Sequence, residues 1–262
     1  MKNSSYFLLL LALVGLSSCE KVITLDLNTE GKKVVIEGGV SNQAGPYTVR
    51  VSQSADFYQA GIGEVIPNAT VTISDNTGAT ETLTYAGNST YQTKTTKGTA
   101  GRTYTLRVTA NGATYQATST MPSAVPLDTL TYEAQALGDI IYANYTDPAM
   151  AGNNYRWVMY VNDKQQGDVF AVNDRLNNGI RTRQALFLAS PNAPDLTTGD
   201  RIRVDMQCID APVYDYFFGL GQVLGSGNNQ AATPANPSSN LSGGALGYFS
   251  AYSVTTNDLT IK

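Results

Sequence analysis

Polar and apolar positions alternate with a period of two along most of this chain. In Asn68-Ala-Thr-Val-Thr-Ile-Ser74, Ala69, Val71 and Ile73 fall on one side and polar residues on the other. Such alternation predicts half-buried strands, because successive side chains of an extended chain point to opposite faces. Stretches 33–40, 47–51, 80–85, 91–95, 102–108 and 113–118 are strand-like as well. Turn chemistry separates them: Asp75-Asn-Thr-Gly78, the glycine-flanked loop 98–101, and Asn111-Gly112, a type I′ hairpin signal. Short strands at this spacing predict a sandwich of immunoglobulin-like or transthyretin-like form over 33–121.

Met121-Pro-Ser-Ala-Val-Pro126 then breaks the pattern, since two prolines so close together do not sit in a central strand. A second domain is expected over 127–262, with strands at 127–137, 140–145, 155–161, 167–172, 180–188 and 201–209. Tyr155, Trp157, Met159 and Val161 share one face of the strongest of these. The period changes once. Asp210 is placed to cap a helix, Pro212 suits its first turn, and Val213, Tyr216, Phe217, Leu220, Val223 and Leu224 recur at helical spacing. This predicts a helix near 212–224, a long Gly/Asn/Pro-rich loop over 225–244 and a closing strand at 245–254. The expected fold class is mainly β: a sandwich followed by a β-rich domain with one helix.

The N-terminus follows a different rule. Lys2 precedes an apolar run of about 11 residues that ends in Leu16-Ser-Ser-Cys19. A membrane span needs roughly 20, so residues 1–18 are expected to be a signal peptide. Leu-Ser-Ser-Cys resembles a lipobox, whose chemistry needs a thiol to carry diacylglycerol. Cys19 is therefore the expected lipidation site and 19–32 a tether, which makes the membrane a partner through the lipid. Removing Lys2 with the signal moves the formal charge from −4 to −5. Cys208 is left without a disulfide partner and is expected to be a small buried hydrophobe.

Composition removes whole classes of chemistry. The chain has no histidine, which excludes Ser-His-Asp and Cys-His nucleophiles and histidine-ligated zinc or haem. Its basic residues are scattered in an acidic chain, so no nucleic acid is expected. Asp205, Asp210 and Asp215 recur regularly but fall on a strand, a cap and a helix, which gives no common face. No enzyme activity, cofactor or metal is expected. Tyr214, Phe218, Tyr248, Phe249 and Tyr252 gather near the helix and the closing strand; they are candidates for a ligand or partner surface, or for an ordinary core.

Three stretches are particular: Cys19-Glu-Lys-Val-Ile-Thr-Leu-Asp-Leu27, Val34-Val-Ile-Glu-Gly-Gly-Val40 and Gly244-Ala-Leu-Gly-Tyr-Phe-Ser-Ala251. Together they resemble a family of Bacteroidota envelope lipoproteins, domain-of-unknown-function family 4249. The resemblance implies an outer-membrane lipoprotein with an N-terminal sandwich, often encoded beside a TonB-dependent receptor, and it brings no catalytic residue. The expected function is that of a non-enzymatic accessory or ligand-presenting partner of such an uptake receptor. The alternative is a structural or adhesive cell-surface module. Surface and periplasmic placement both stay open, as does the ligand.

Overall fold

A computed structural model describes residues 31–54, 63–66, 68–135, 138–188, 193–225 and 236–262. The expected signal peptide, Cys19 and nearly all of the tether 19–32 lie outside these residues, as does the middle of the 225–244 loop. Alternation builds the first half. β1 (Val34–Ser41), β2 (Thr48–Gln53), β6 (Thr84–Gly87) and β7 (Thr90–Gln92) lie in one sheet, with the short β3 (Glu64–Val65) paired to β2. β4 (Thr70–Asp75), β5 (Thr80–Thr82), β8 (Thr103–Ala110) and β9 (Ala113–Thr120) form a four-stranded sheet of order β5-β4-β8-β9. Val71, Ile73, Leu106 and Val108 from the second sheet pack with Ile36, Val40, Val49 and Val51 from the first in one buried core. The Asn111-Gly112 turn has φ of 51° and 75°, as the primed turn requires.

The expected strand at 80–85 is in fact two strands in different sheets. Leu83 stands at the corner, buried in the first core, and donates its N–H to Val71 O. Alternation continues smoothly through such a corner, so the pattern does not reveal that the chain crosses from sheet to sheet. Glu81, beside the corner, ties the sheets together. Its carboxylate accepts the amides of Lys94, Thr95 and Thr96 and the hydroxyls of Thr95 and Thr96, at 2.5–3.2 Å. Partial burial alone would raise its pKa, but the Thr96 hydroxyl and the three amides more than offset this and hold it at about 2. A depressed carboxylate stabilises the fold above its unfolded pKa and loses that effect as pH falls through the folded value. Glu81→Gln is therefore expected to lower the melting temperature at pH 7. The difference from the parent should shrink between pH 4.5 and 2, in melting curves recorded across that range.

The second half has its own pair of sheets. β10 (Leu127–Glu133), β11 (Ile140–Thr146) and β15 (Arg181–Phe187) form a three-stranded sheet. Opposite it lie β12 (Asn154–Val161), β13 (Lys164–Gln165), β14 (Phe170–Asn173) and β16 (Arg201–Ile209). Tyr155, Trp157, Met159 and Val161 do share a face, and they pack with Ile202, Val204, Met206 and Cys208. Cys208 is a free, buried thiol whose pKa burial raises. The fold is mainly β, built from sandwiches, with α1 (Ala211–Gly225) the single helix among the described residues.

β17 (Leu246–Thr260) belongs to both halves. Residues 246–252 pair in parallel with β1, and residues 253–260 pair antiparallel with β16. It thereby joins the larger sheets of the two sandwiches into one ten-stranded sheet. The strand crosses the expected 121–127 boundary in space: Phe249 and Ala251 are buried in the first core, while Leu259 packs on the second and Ile261, just past the strand, is buried there. Side chains of β17 also hold the chain segment that links the halves. Ser253 donates to Pro122 O, Thr255 to Val125 O, and Asn257 to Leu127 O, at 2.8–3.1 Å.

Candidate functional site

The outer face of the shared sheet, away from both cores, is polar. On β1 it presents Glu37 and Gly39, because Ile36 and Val40 point to the core. On β17 it presents Tyr248, Ser250 and Tyr252, because Phe249 and Ala251 point inward. The register sets Glu37 between Arg50 on β2 and Tyr248 on β17, and Gly39 beside Ser250. Arg156 reaches the same place from β12. These residues line an open trough of about 520 Å³ where the two sandwiches meet, within the size range of small-molecule sites.

Glycine makes the floor. A Cβ on Gly39 would lie 2.6 Å from Ser250 O and 3.3 Å from the Tyr252 ring, so any side chain there would fill the trough. Ser250 is 3% exposed, and its hydroxyl has no hydrogen-bond partner among the described residues. Nε of Arg50 is likewise buried and unpartnered among them. Arg156 is better held: its guanidinium carbon stands 3.9 Å over the Phe217 ring and Nη1 donates to Gln207 Oε1 at 3.1 Å. Burial raises the hydroxyl pKa of Tyr248 and Tyr252, with Arg156 pulling the other way. Burial, followed by the charge of Glu37, pushes Tyr216 up to about 12. The tyrosines are thus neutral hydrogen-bonding groups at ordinary pH.

α1 packs against the sheet beside the trough, with Tyr248 and Tyr252 against its inward face. Asp210 caps it, with Val213 N donating to Oδ1 at 3.3 Å, while Oδ2 accepts Thr120 N. Val213, Tyr216 and Phe217 face the sheet, and Phe217 meets Tyr248 with ring centroids 4.7 Å apart.

The five aromatic candidates fall in three places. Tyr248 and Tyr252 line the trough. Tyr214 and Phe218 stack on the flank of α1, with ring centroids 5.5 Å apart, and Tyr214 also accepts a hydrogen bond from Asn173. Phe249 corrects the expected grouping: it is fully buried in the first core and offers no surface to a ligand or partner. The reason is its parity, since it stands one residue from Tyr248 and so on the opposite face. Glu37, Arg50, Arg156 and Ser250 were not expected, because each looks like an ordinary outward residue until the sheet order brings their strands together. Among the described residues, no group of three His, Cys, Asp or Glu side chains could hold a metal ion. No helix of the described residues is long and apolar enough to cross a membrane.

No curated protein matches the chain. Solved structures that align with it include a two-domain fibronectin type III segment of chicken tenascin, at 11% identity and a TM-score of 0.23, covering 69% of this chain and 93% of that one. A cytokine receptor complex aligns at 10% identity and a TM-score of 0.26, covering 87% and 95%. Chicken interferon gamma receptor alpha chain aligns at 10% identity and a TM-score of 0.22, covering 68% and 89%. The family model described as a domain of unknown function, DUF4249, matches residues 20–258, and the chain belongs to that family.

Proposed function

We propose that this protein is a non-enzymatic, lipid-anchored outer-membrane lipoprotein that serves a TonB-dependent uptake receptor as accessory or ligand-presenting partner. The observation that carries the reading is a pair of loops that hold three apolar side chains out to solvent. Met150, Leu176 and Ile180 are 75%, 91% and 52% exposed. Buried carboxylates fix the loops that bear them: Asp174 accepts the amides of Gly152 and Asn153, and Asp147 accepts that of Gly179. Asn178 ties one loop to the other through Ala149 O. Apolar side chains presented on a rigid frame fit a protein contact surface better than a solvated loop. The lipobox at Cys19, one residue before the family match begins, supports the tether.

Co-purification of the tagged full chain from solubilised membranes tests this directly. A β-barrel receptor is expected in the eluate. Leu176→Asp should reduce its recovery by about tenfold, the scale of one well-placed apolar contact in an interface, while leaving the melting temperature unchanged. Cys19→Ser should move the chain out of the membrane fraction. Recovery of the chain without any barrel would overturn the receptor role, and the same chain found protease-accessible on intact cells would then favour the adhesive reading.

A further inference from the structure

We infer that the trough between the sandwiches is a binding site for a small ligand carrying one carboxylate beside hydroxyl groups, of the size and chemistry of a sugar acid. The inference deepens the ligand-presenting half of the reading above and rests on it for where the ligand is delivered. Charge is the first argument. Arg50 and Arg156 against Glu37 leave the lining at +1, on a chain whose formal charge is −4. A local excess of cation in an acidic protein selects for an anion, and two guanidinium groups on opposite sides select for one with several oxygens. Glu37, between them, rejects a polyanion but can accept hydroxyl hydrogens from a ligand.

Unmet hydrogen bonding is the second argument. Native structures rarely leave buried polar side-chain atoms unpaired, yet among the described residues Ser250 Oγ and Arg50 Nε have no hydrogen-bond partner, and both residues line the trough. One is a hydroxyl able to donate or accept, the other a cationic donor. A carboxylate flanked by hydroxyls supplies a partner for each. The shape fits as well: the Gly38–Gly39 backbone leaves the floor bare, and Tyr248 and Tyr252 bring aromatic surface and hydroxyls to the lining, the mixed character that a sugar ring uses. Tyr248 is also fixed from behind by Phe217, so that part of the lining is preformed.

Calorimetric titration of the full chain in detergent with sodium glucuronate, and with glucose as the neutral control, tests the site. Glucuronate is expected to bind at one site per chain, with glucose at least about tenfold weaker, since it lacks the charge-assisted bonds. Arg50→Gln should weaken glucuronate by about tenfold or more, and Ser250→Ala by a few-fold. The second variant removes only an unpaired hydroxyl and is expected to keep the fold, so it guards against misfolding of the first. Equal affinity for glucose, no heat with either sugar, or unchanged binding in both variants would overturn the assignment. Glucuronate binding without a co-purified barrel would keep this site and reject the receptor; a barrel without glucuronate binding would do the reverse.

Discussion

Asp147→Ala is expected to destabilise the second sandwich by about 3 kcal/mol or more, because it leaves the buried Tyr155 hydroxyl and the Gly179 amide without their acceptor, at roughly 1–3 kcal/mol each. Asp147 is 2% exposed. It accepts Tyr155 Oη at 2.5 Å and Gly179 N at 3.2 Å, and its own amide donates to Ile180 O. Tyr155 is fully buried beside Tyr145, 5.2 Å between centroids. Burial, then the bond to Asp147, holds its hydroxyl protonated far beyond the ordinary phenol range. Alanine at 147 would strand that hydroxyl and free the loop bearing Leu176 and Ile180. Tyr155→Phe alone should cost less, about 2 kcal/mol. The double variant should lose less than the two single losses added, because it leaves no orphaned hydroxyl and only the Gly179 amide without its acceptor. Urea unfolding of the four proteins measures this; a loss below about 1 kcal/mol for Asp147→Ala, or strict additivity, would show that the pair does not hold the loop. Since the same loop carries the proposed contact surface, barrel recovery should fall with Asp147→Ala even where the chain stays folded.

The strands were legible because their signal is local. Side-chain parity along an extended chain depends only on the backbone, so the strands expected at 68–74, 102–108 and 155–161 are found as β4, β8 and β12, displaced by at most two residues at their ends. α1 was equally plain, with its cap at Asp210 and its inward Val213, Tyr216 and Phe217. What sequence order hides is which distant strand becomes a neighbour. Residues 255–260, Thr-Thr-Asn-Asp-Leu-Thr, are too polar to announce a strand, yet they continue one because β16 pairs alongside and Leu259 packs on the second core. The site was half visible for the same reason. Tyr248 and Tyr252 were marked by aromatic density, and the parity rule would have removed Phe249 from their company. Glu37, Arg50 and Arg156 lie on β1, β2 and β12, and only the order β12-β16-β17-β1-β2 makes them lining residues of one trough.

That shared strand should also decide how the molecule unfolds. Gly247 has φ of +95°, and a Cβ there would lie 2.1 Å from Ile36 O. Gly247→Ala is expected to lose about 3 kcal/mol or more, combining strain at a φ that L residues avoid with a backbone collision. Gly199 separates the two causes: its φ is +97°, but a Cβ there meets nothing within 4 Å, so Gly199→Ala should cost only about 1 kcal/mol of strain. The collision displaces residues 246–252 from β1. Beyond Tyr252 the same backbone pairs with β16, and its side chains hold Pro122, Val125 and Leu127. Damage at Gly247 therefore has a covalent and hydrogen-bonded route into the second core, and the two sandwiches should unfold in one transition. Amide exchange in β8 and β12 reads the two cores separately. Equal loss of protection in Gly247→Ala would establish the coupling, whereas loss confined to β8 would make the sandwiches independent bodies that only share a strand. Coupling also bears on the trough, whose walls come from both sides of that strand. If the sandwiches move as one, Arg50 and Arg156 keep a fixed spacing, and a ligand that bridges them meets a site already formed.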